Sequence, residues 1–103
     1  MVYKFFEKHV KIEEKDSSRK PENLMELDYY LLESEFDEAE NREISKAYGI
    51  EIVKRHNGGA VERKQFKNIF PSKEKTKNLI ELLAEQTVTP LTLPYILDDL
   101  LGI

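Results

Sequence analysis

The strand-like segments of this chain all lie before Pro71-Ser72, and the segments with helical spacing all lie after it. That order constrains the fold more than any single residue does. Strands followed by helices belong to α+β architectures rather than to alternating βαβ units. A chain of 103 residues has room for one domain over residues 1–103, whereas a TIM barrel needs roughly 250 residues. Hydrophobic residues make up 40%, enough for one modest core, and charged residues 35%. The charged share exceeds the usual ~25% and predicts a heavily solvated surface.

Four strands are predicted, at about 2–12, 25–36, 44–56 and 60–70. In the first, Phe6, Val10 and Ile12 fall on one parity, with Tyr3, Phe5 and His9 on the other. In the second, Leu27, Tyr29 and Leu31 share one face, and Tyr30, Leu32 and Phe36 share the other. Apolar groups on both faces describe a central strand covered on both sides. In the third, Tyr48, Ile50 and Ile52 alternate with Glu51, Val53 and Arg55. Asn57-Gly58-Gly59 is the strongest local signal, because Asn and Gly tolerate the positive φ of tight hairpins. A three-residue loop at 57–59 pairs Ile50 with Phe66 and Lys54 with Glu62, whereas a two-residue Gly58-Gly59 turn sets Lys54 opposite Arg63. Apolar and opposite-charge cross-strand pairs contribute about 0.2–1 kcal/mol each, which favours the longer loop. Segments 15–24 and 37–43 are polar breaks.

Ser72 offers an N-cap for a helix over about 73–86, in which Thr76, Leu79, Ile80, Leu83 and Thr87 follow the i, i+3, i+4, i+7 rule. VTPLTLP (88–94) ends it, since proline lacks an N–H and clashes one turn back. A second helix is predicted over about 93–101, with Leu93, Ile96, Leu97, Leu100 and Leu101 as its stripe and Thr92 as its cap. Gly102 suits the position past its end, with Ile103 folding back as the apolar contact. The expected fold is α+β: an antiparallel four-stranded meander followed by two C-terminal helices packed on one sheet face.

YYLLESE (29–35), YGIEIVK (48–54) and NLIELLAEQTVTP (78–90) leading into LPYILDDLLG (93–102) carry a resemblance. Across most of residues 25–103 the chain resembles a small bacterial domain family of unknown function. The resemblance implies an intracellular α+β domain and carries over no catalytic residue. It also implies a Thr-Pro helix start near the C-terminus, from which Pro94 departs.

The chain has no cysteine, which excludes disulfides, thiol catalysis and thiolate metal sites. His9 and His56 are its only imidazoles, and no serine lies in a G-x-S-x-G turn. Neither phosphate-cradling glycine motif occurs. Glu33 and Glu35 share a strand face, while Asp98 and Asp99 are adjacent on a helix and point about 100° apart, a poor chelate. No catalytic residue, metal site or cofactor is expected. Lys4, Glu7 and Lys8 interrupt every apolar run at the N-terminus, and no window approaches the ~18 apolar residues of a membrane span. A cytoplasmic protein without membrane attachment is expected.

Charge is polarised along the chain. Residues 33–43 carry six acids and one base, whereas residues 54–77 carry eight bases and two acids, in a chain of net charge −4. The candidate binding residues are those bases: Lys54, Arg55, Arg63, Lys64, Lys67, Lys73, Lys75 and Lys77. The last three crowd the start of a helix, where the macrodipole disfavours cations and free N–H groups attract anions. The segment reads as a solvated face balanced by the 33–43 acids of the same or a second subunit, as a dock for an acidic protein, or as a nucleic-acid surface. The chain pI of about 5.3 ranks nucleic acid last. One layer of helices leaves the second sheet face open, so Tyr30, Leu32 and Phe36 are expected to need cover, met by a homodimer that stacks these faces. The leading expectation is a non-enzymatic binding or regulatory module acting through protein contacts. The alternative is a nucleic-acid or anion binder working through 54–77.

Overall fold

The computed structural model describes residues 1–13, 24–38, 43–56 and 59–102. Four strands, β1 (Val2–Glu13), β2 (Leu24–Glu38), β3 (Glu43–His56) and β4 (Val61–Phe70), precede two helices, α1 (Lys73–Glu85) and α2 (Leu93–Leu101). The strands form one sheet in the order β1-β2-β3-β4, with every neighbouring pair antiparallel. This is the meander expected from the sequence, with α1 lying across all four strands. The predicted loop at 15–24 falls outside the described residues except for Leu24, which opens β2.

At the β3–β4 hairpin, Ile50 pairs with Phe66 and Lys54 with Glu62, the register of a three-residue loop. His56 donates its N–H to the Ala60 carbonyl at 3.1 Å, and Gly59 takes φ +102° where a side chain is unfavourable. Asn57 and Gly58 lie outside the described residues. Farther along, Tyr48 pairs with Phe70 rather than with residue 68. Three β4 residues, Lys67 to Ile69, therefore face the single residue Gly49, and Asn68 takes φ +59° inside this bulge. Only glycine fits opposite it: a Cβ at Gly49 would lie 2.0 Å from the Phe66 carbonyl oxygen.

A second bulge corrects the expected parity of β1. Phe6 pairs with Tyr30 and Lys8 with Tyr29, so Glu7 is the extra residue. An extra residue reverses which side chains face the core. Phe5, opposite Leu31, therefore shares the helix side with Val10, opposite Leu27, while Phe6 joins His9, opposite Asp28, on the other side. The imperfect alternation of this segment has a structural cause.

Ser72 caps α1 as expected, its Oγ accepting the Lys75 N–H at 3.2 Å. The helix ends two residues before Thr87, which had been placed in its apolar stripe. Thr87 instead takes φ +50°, its N–H bonds the Ala84 carbonyl, and the Val88 N–H bonds the Leu83 carbonyl. That is a Schellman ending with threonine in the place usually held by glycine. Thr92 precedes α2 but makes no capping bond. Its hydroxyl is taken by Thr89, whose N–H it accepts at 3.1 Å, which cross-braces the loop. Pro94 sits in the first turn of α2, and Gly102 closes the helix in the left-handed conformation at φ +69°. Ile103 lies outside the described residues.

The core lies between the sheet and the helices. Leu27, Tyr29, Leu31, Ile50 and Ile52 from the sheet meet Leu79, Ile80 and Leu83 of α1 and Leu93 and Leu97 of α2. Tyr29 is fully buried and donates its hydroxyl to the Val88 carbonyl at 2.8 Å, tying the central strand to the interhelical loop. Burial raises its pKa to about 12, so the phenol stays a donor. Tyr29→Phe strands that carbonyl, and a loss of about 1–3 kcal/mol is expected in urea denaturation.

Candidate functional site

The sheet face away from the helices is covered by ion pairs rather than by apolar groups. Period-two alternation brings Lys4 and His9 of β1, Asp28 and Tyr30 of β2, Glu51 and Arg55 of β3 and Gln65 of β4 to this side. Asp28 accepts from His9 Nδ1 at 2.6 Å with one oxygen and from Arg55 at 2.6 Å with the other. Both oxygens of this buried carboxylate are engaged across three strands, and the hydrogen bond to Asp28, with its charge, raises the Arg55 pKa. Glu51, 3% exposed, accepts from Lys4 at 2.6 Å and from Gln65 at 3.0 Å. The Lys4 ammonium also lies 4.4 Å above the Tyr30 ring, which Phe6 meets edge-on.

Tyr30, Leu32 and Phe36, expected to be met by a second copy, lie on this face. Leu32 is 2% exposed within the chain itself, and Tyr30 is half-buried beneath Lys4 and Phe6. Phe36 stays exposed. Nothing local in the sequence marks the lattice, because Lys4 and Glu51 are 47 residues apart and meet only through strand register.

Burial pushes the Glu51 carboxyl up, but the hydrogen bonds from Lys4 and Gln65 and the charges of Lys4 and Arg63 outweigh it, leaving the group below its ordinary value. A carboxylate lowered in the folded state adds stability above its unfolded pKa and loses it as pH falls through the folded pKa. Wild type should exceed Glu51→Gln in thermal midpoint near neutral pH, and the gap should close between about pH 5 and pH 3. A gap independent of pH would remove Glu51 as an ionised partner.

The eight basic candidates do not converge. Lys54, on the helix side, pairs with Glu62 at 3.8 Å, and Lys77 pairs with Glu7 at 3.8 Å. Arg55 belongs to the opposite-side lattice. Lys73 lies over the Phe5 ring at 5.6 Å, and Lys75 lies in the first turn of α1. The other three, Arg63, Lys64 and Lys67, stand exposed along β4 and form no ion pair with a described residue. Lys64 reaches over Phe66 at 5.7 Å. Lys4 and Lys8 of the other edge strand are neutralised by Glu51 and Glu81.

β4 is the last strand of the sheet. The His56–Ala60 pair is hydrogen bonded, and bonded pairs alternate along an antiparallel ladder. Glu62 and Lys64 therefore turn their backbone groups toward β3, while Val61, Arg63 and Gln65 turn theirs outward. Beside this edge the interhelical loop and the first turn of α2 raise a wall of Pro90, Leu91 and Pro94. Between wall and strand runs an open groove of about 280 Å³, with Glu62, Arg63 and Lys64 on the strand side. Leu91 on the wall is 75% exposed. A larger apolar hollow of about 600 Å³ between α1 and α2, lined by Leu82, Leu83, Val88, Ile96 and Leu100 among others, has no cation in its walls. Among the described residues no three His, Asp or Glu side chains gather to hold a metal ion. No helix among them is long and apolar enough to cross a membrane.

No curated protein and no solved structure matches the chain. A family model matches residues 8–102, which takes in every strand and helix except the first residues of β1. The chain belongs to the family of unknown function DUF6514.

Proposed function

We propose that this domain is a non-catalytic protein-binding module that takes an extended segment of its partner along the free edge of β4. The observation that carries the reading is the outward row of backbone donors and acceptors at Val61, Arg63 and Gln65 beside the groove under Pro90, Leu91 and Pro94. A strand added to an exposed edge gains main-chain hydrogen bonds, and pockets for its alternate side chains add selectivity. On the opposite sheet face Asp28 and Glu51 are engaged by His9, Arg55, Lys4 and Gln65, which supports a role in contact rather than in reaction chemistry.

A random heptapeptide library tests the reading. Val61→Pro removes one outward N–H without touching the β3–β4 ladder, and proline is tolerated on edge strands. Peptides should be enriched on the wild-type domain and lose binding to Val61→Pro. A library that shows no enrichment over the variant refutes the edge as a binding site.

A further inference from the structure

Resting on the edge-binding reading, we infer that the segment taken by β4 is an acidic peptide in which acidic and apolar residues alternate. Arg63, Lys64 and Lys67 project from this edge and form no ion pair with a described residue, the Arg63 charge reaching Glu51 only at longer range, although the chain as a whole is acidic. The β1 edge differs, because its Lys4 and Lys8 are already neutralised and the Glu7 bulge interrupts it. Of the two sheet edges, β4 is thus the one whose cations have no ion pair with a described residue.

Register decides how the peptide's side chains divide. A strand hydrogen bonded to Val61, Arg63 and Gln65 places the side chain opposite Arg63 on the lattice side of the sheet, where a carboxylate meets the guanidinium. The peptide residues opposite Glu62 and Lys64 point to the helix side, over the groove walled by Pro90, Leu91 and Pro94. That wall is apolar, and Leu91 is open to receive an apolar side chain. Period two in the peptide therefore matches charge on one side and apolar surface on the other.

The same charges disfavour a second copy of this chain. Antiparallel pairing of two β4 edges would crowd both sets of Arg63, Lys64 and Lys67 along one short seam, and lysines on an edge are a common guard against such pairing. Like charges repel a basic strand and attract an acidic one, so one set of residues supplies both selection and exclusion. Nucleic acid fits less well, because the other five basic candidates lie elsewhere and Lys54, Arg55 and Lys77 are already paired.

Amide shifts of the isotopically labelled domain provide the test. The probes are the capped heptapeptide Glu-Val-Glu-Val-Glu-Val-Glu, its Lys-Val counterpart and a thymidine heptanucleotide. The acidic peptide should shift the amides of Val61, Arg63, Gln65 and Leu91 saturably, and binding should weaken as salt shortens the screening length. Arg63→Glu combined with Lys64→Glu should lower its affinity about tenfold or more, as reversal of one exposed pair and of a second nearby charge implies. Both side chains are exposed, and Arg63→Gln with Lys64→Gln provides a milder pair that should give a smaller loss. Equal shifts by the acidic and basic peptides would overturn the charge class while leaving edge binding intact. Shifts by neither peptide would overturn both. Saturable binding of the oligonucleotide at these residues, without binding of the acidic peptide, would overturn the inference in favour of nucleic acid.

Discussion

Gly49→Ala is expected to cost about 3 kcal/mol or more, at the upper end of the range for overpacking. Gly49 lies on β3 between Tyr48 and Ile50, where β4 bulges toward it. An added Cβ would meet the Phe66 carbonyl oxygen at 2.0 Å and the Lys67 Cα at 2.8 Å. Both are backbone atoms, so no rotamer change relieves the clash and the two strands must separate. Gly59→Ala is the control. Its Cβ meets nothing within 4 Å, and only its φ of +102° is unfavourable. That backbone cost is about 1–2 kcal/mol. Urea denaturation of the two variants should rank Gly49→Ala as the more damaging. An unchanged midpoint for Gly49→Ala would mean that the bulge does not press on β3.

Leu97→Ala is the second large effect, with an expected loss of about 2–5 kcal/mol. Leu97 is 1% exposed and, with fully buried Leu93, joins α2 to the core of Tyr29, Ile50 and Leu83. Truncation leaves a cavity that the rigid sheet beneath cannot fill. Leu100 lies one turn away and is 50% exposed, so Leu100→Ala should stay within about 0.5 kcal/mol of wild type. Hydrogen exchange over 93–101 adds a local readout, since loss of the anchor should speed exchange in α2 before it speeds exchange in β2. Equal stability of the two leucine variants would show that α2 does not roof the sheet.

Much of the fold is legible in the sequence, and the legible parts share a property. The strand periods of β2 and β3, the Ser72 cap, the Gly102 ending and the hairpin register each depend on residues close together in the chain. For the register, Gly58-Gly59 marked the turn, and two cross-strand pairs, Ile50 with Phe66 and Lys54 with Glu62, chose between loop lengths. The parity of β1 was misread because a bulge of one residue at Glu7 has no compositional mark. Thr87 was misread for a related reason: threonine at φ +50° runs against its own preference and is held there by the two bonds that close α1.

Of the candidate site, the sequence singled out the basic residues but not which of them form an ion pair with a described residue. Arg55 and Arg63 look alike in the chain. Register sets Arg55 beside Asp28 and leaves Arg63 on an edge strand, next to the wall of Pro90, Leu91 and Pro94.

Local sequence alone therefore determined the order of elements, their faces in β2 and β3, and the helix ends marked by serine and glycine. Those choices are governed by short-range sterics and hydrogen bonds, which act the same way wherever the segment finally packs. The two bulges, the ion lattice over the second face and the surplus of charge along β4 were decided by assembly of the sheet. They depend on which residues stand opposite one another across strands up to 47 positions apart, and pairing at that distance exists only once the chain has folded.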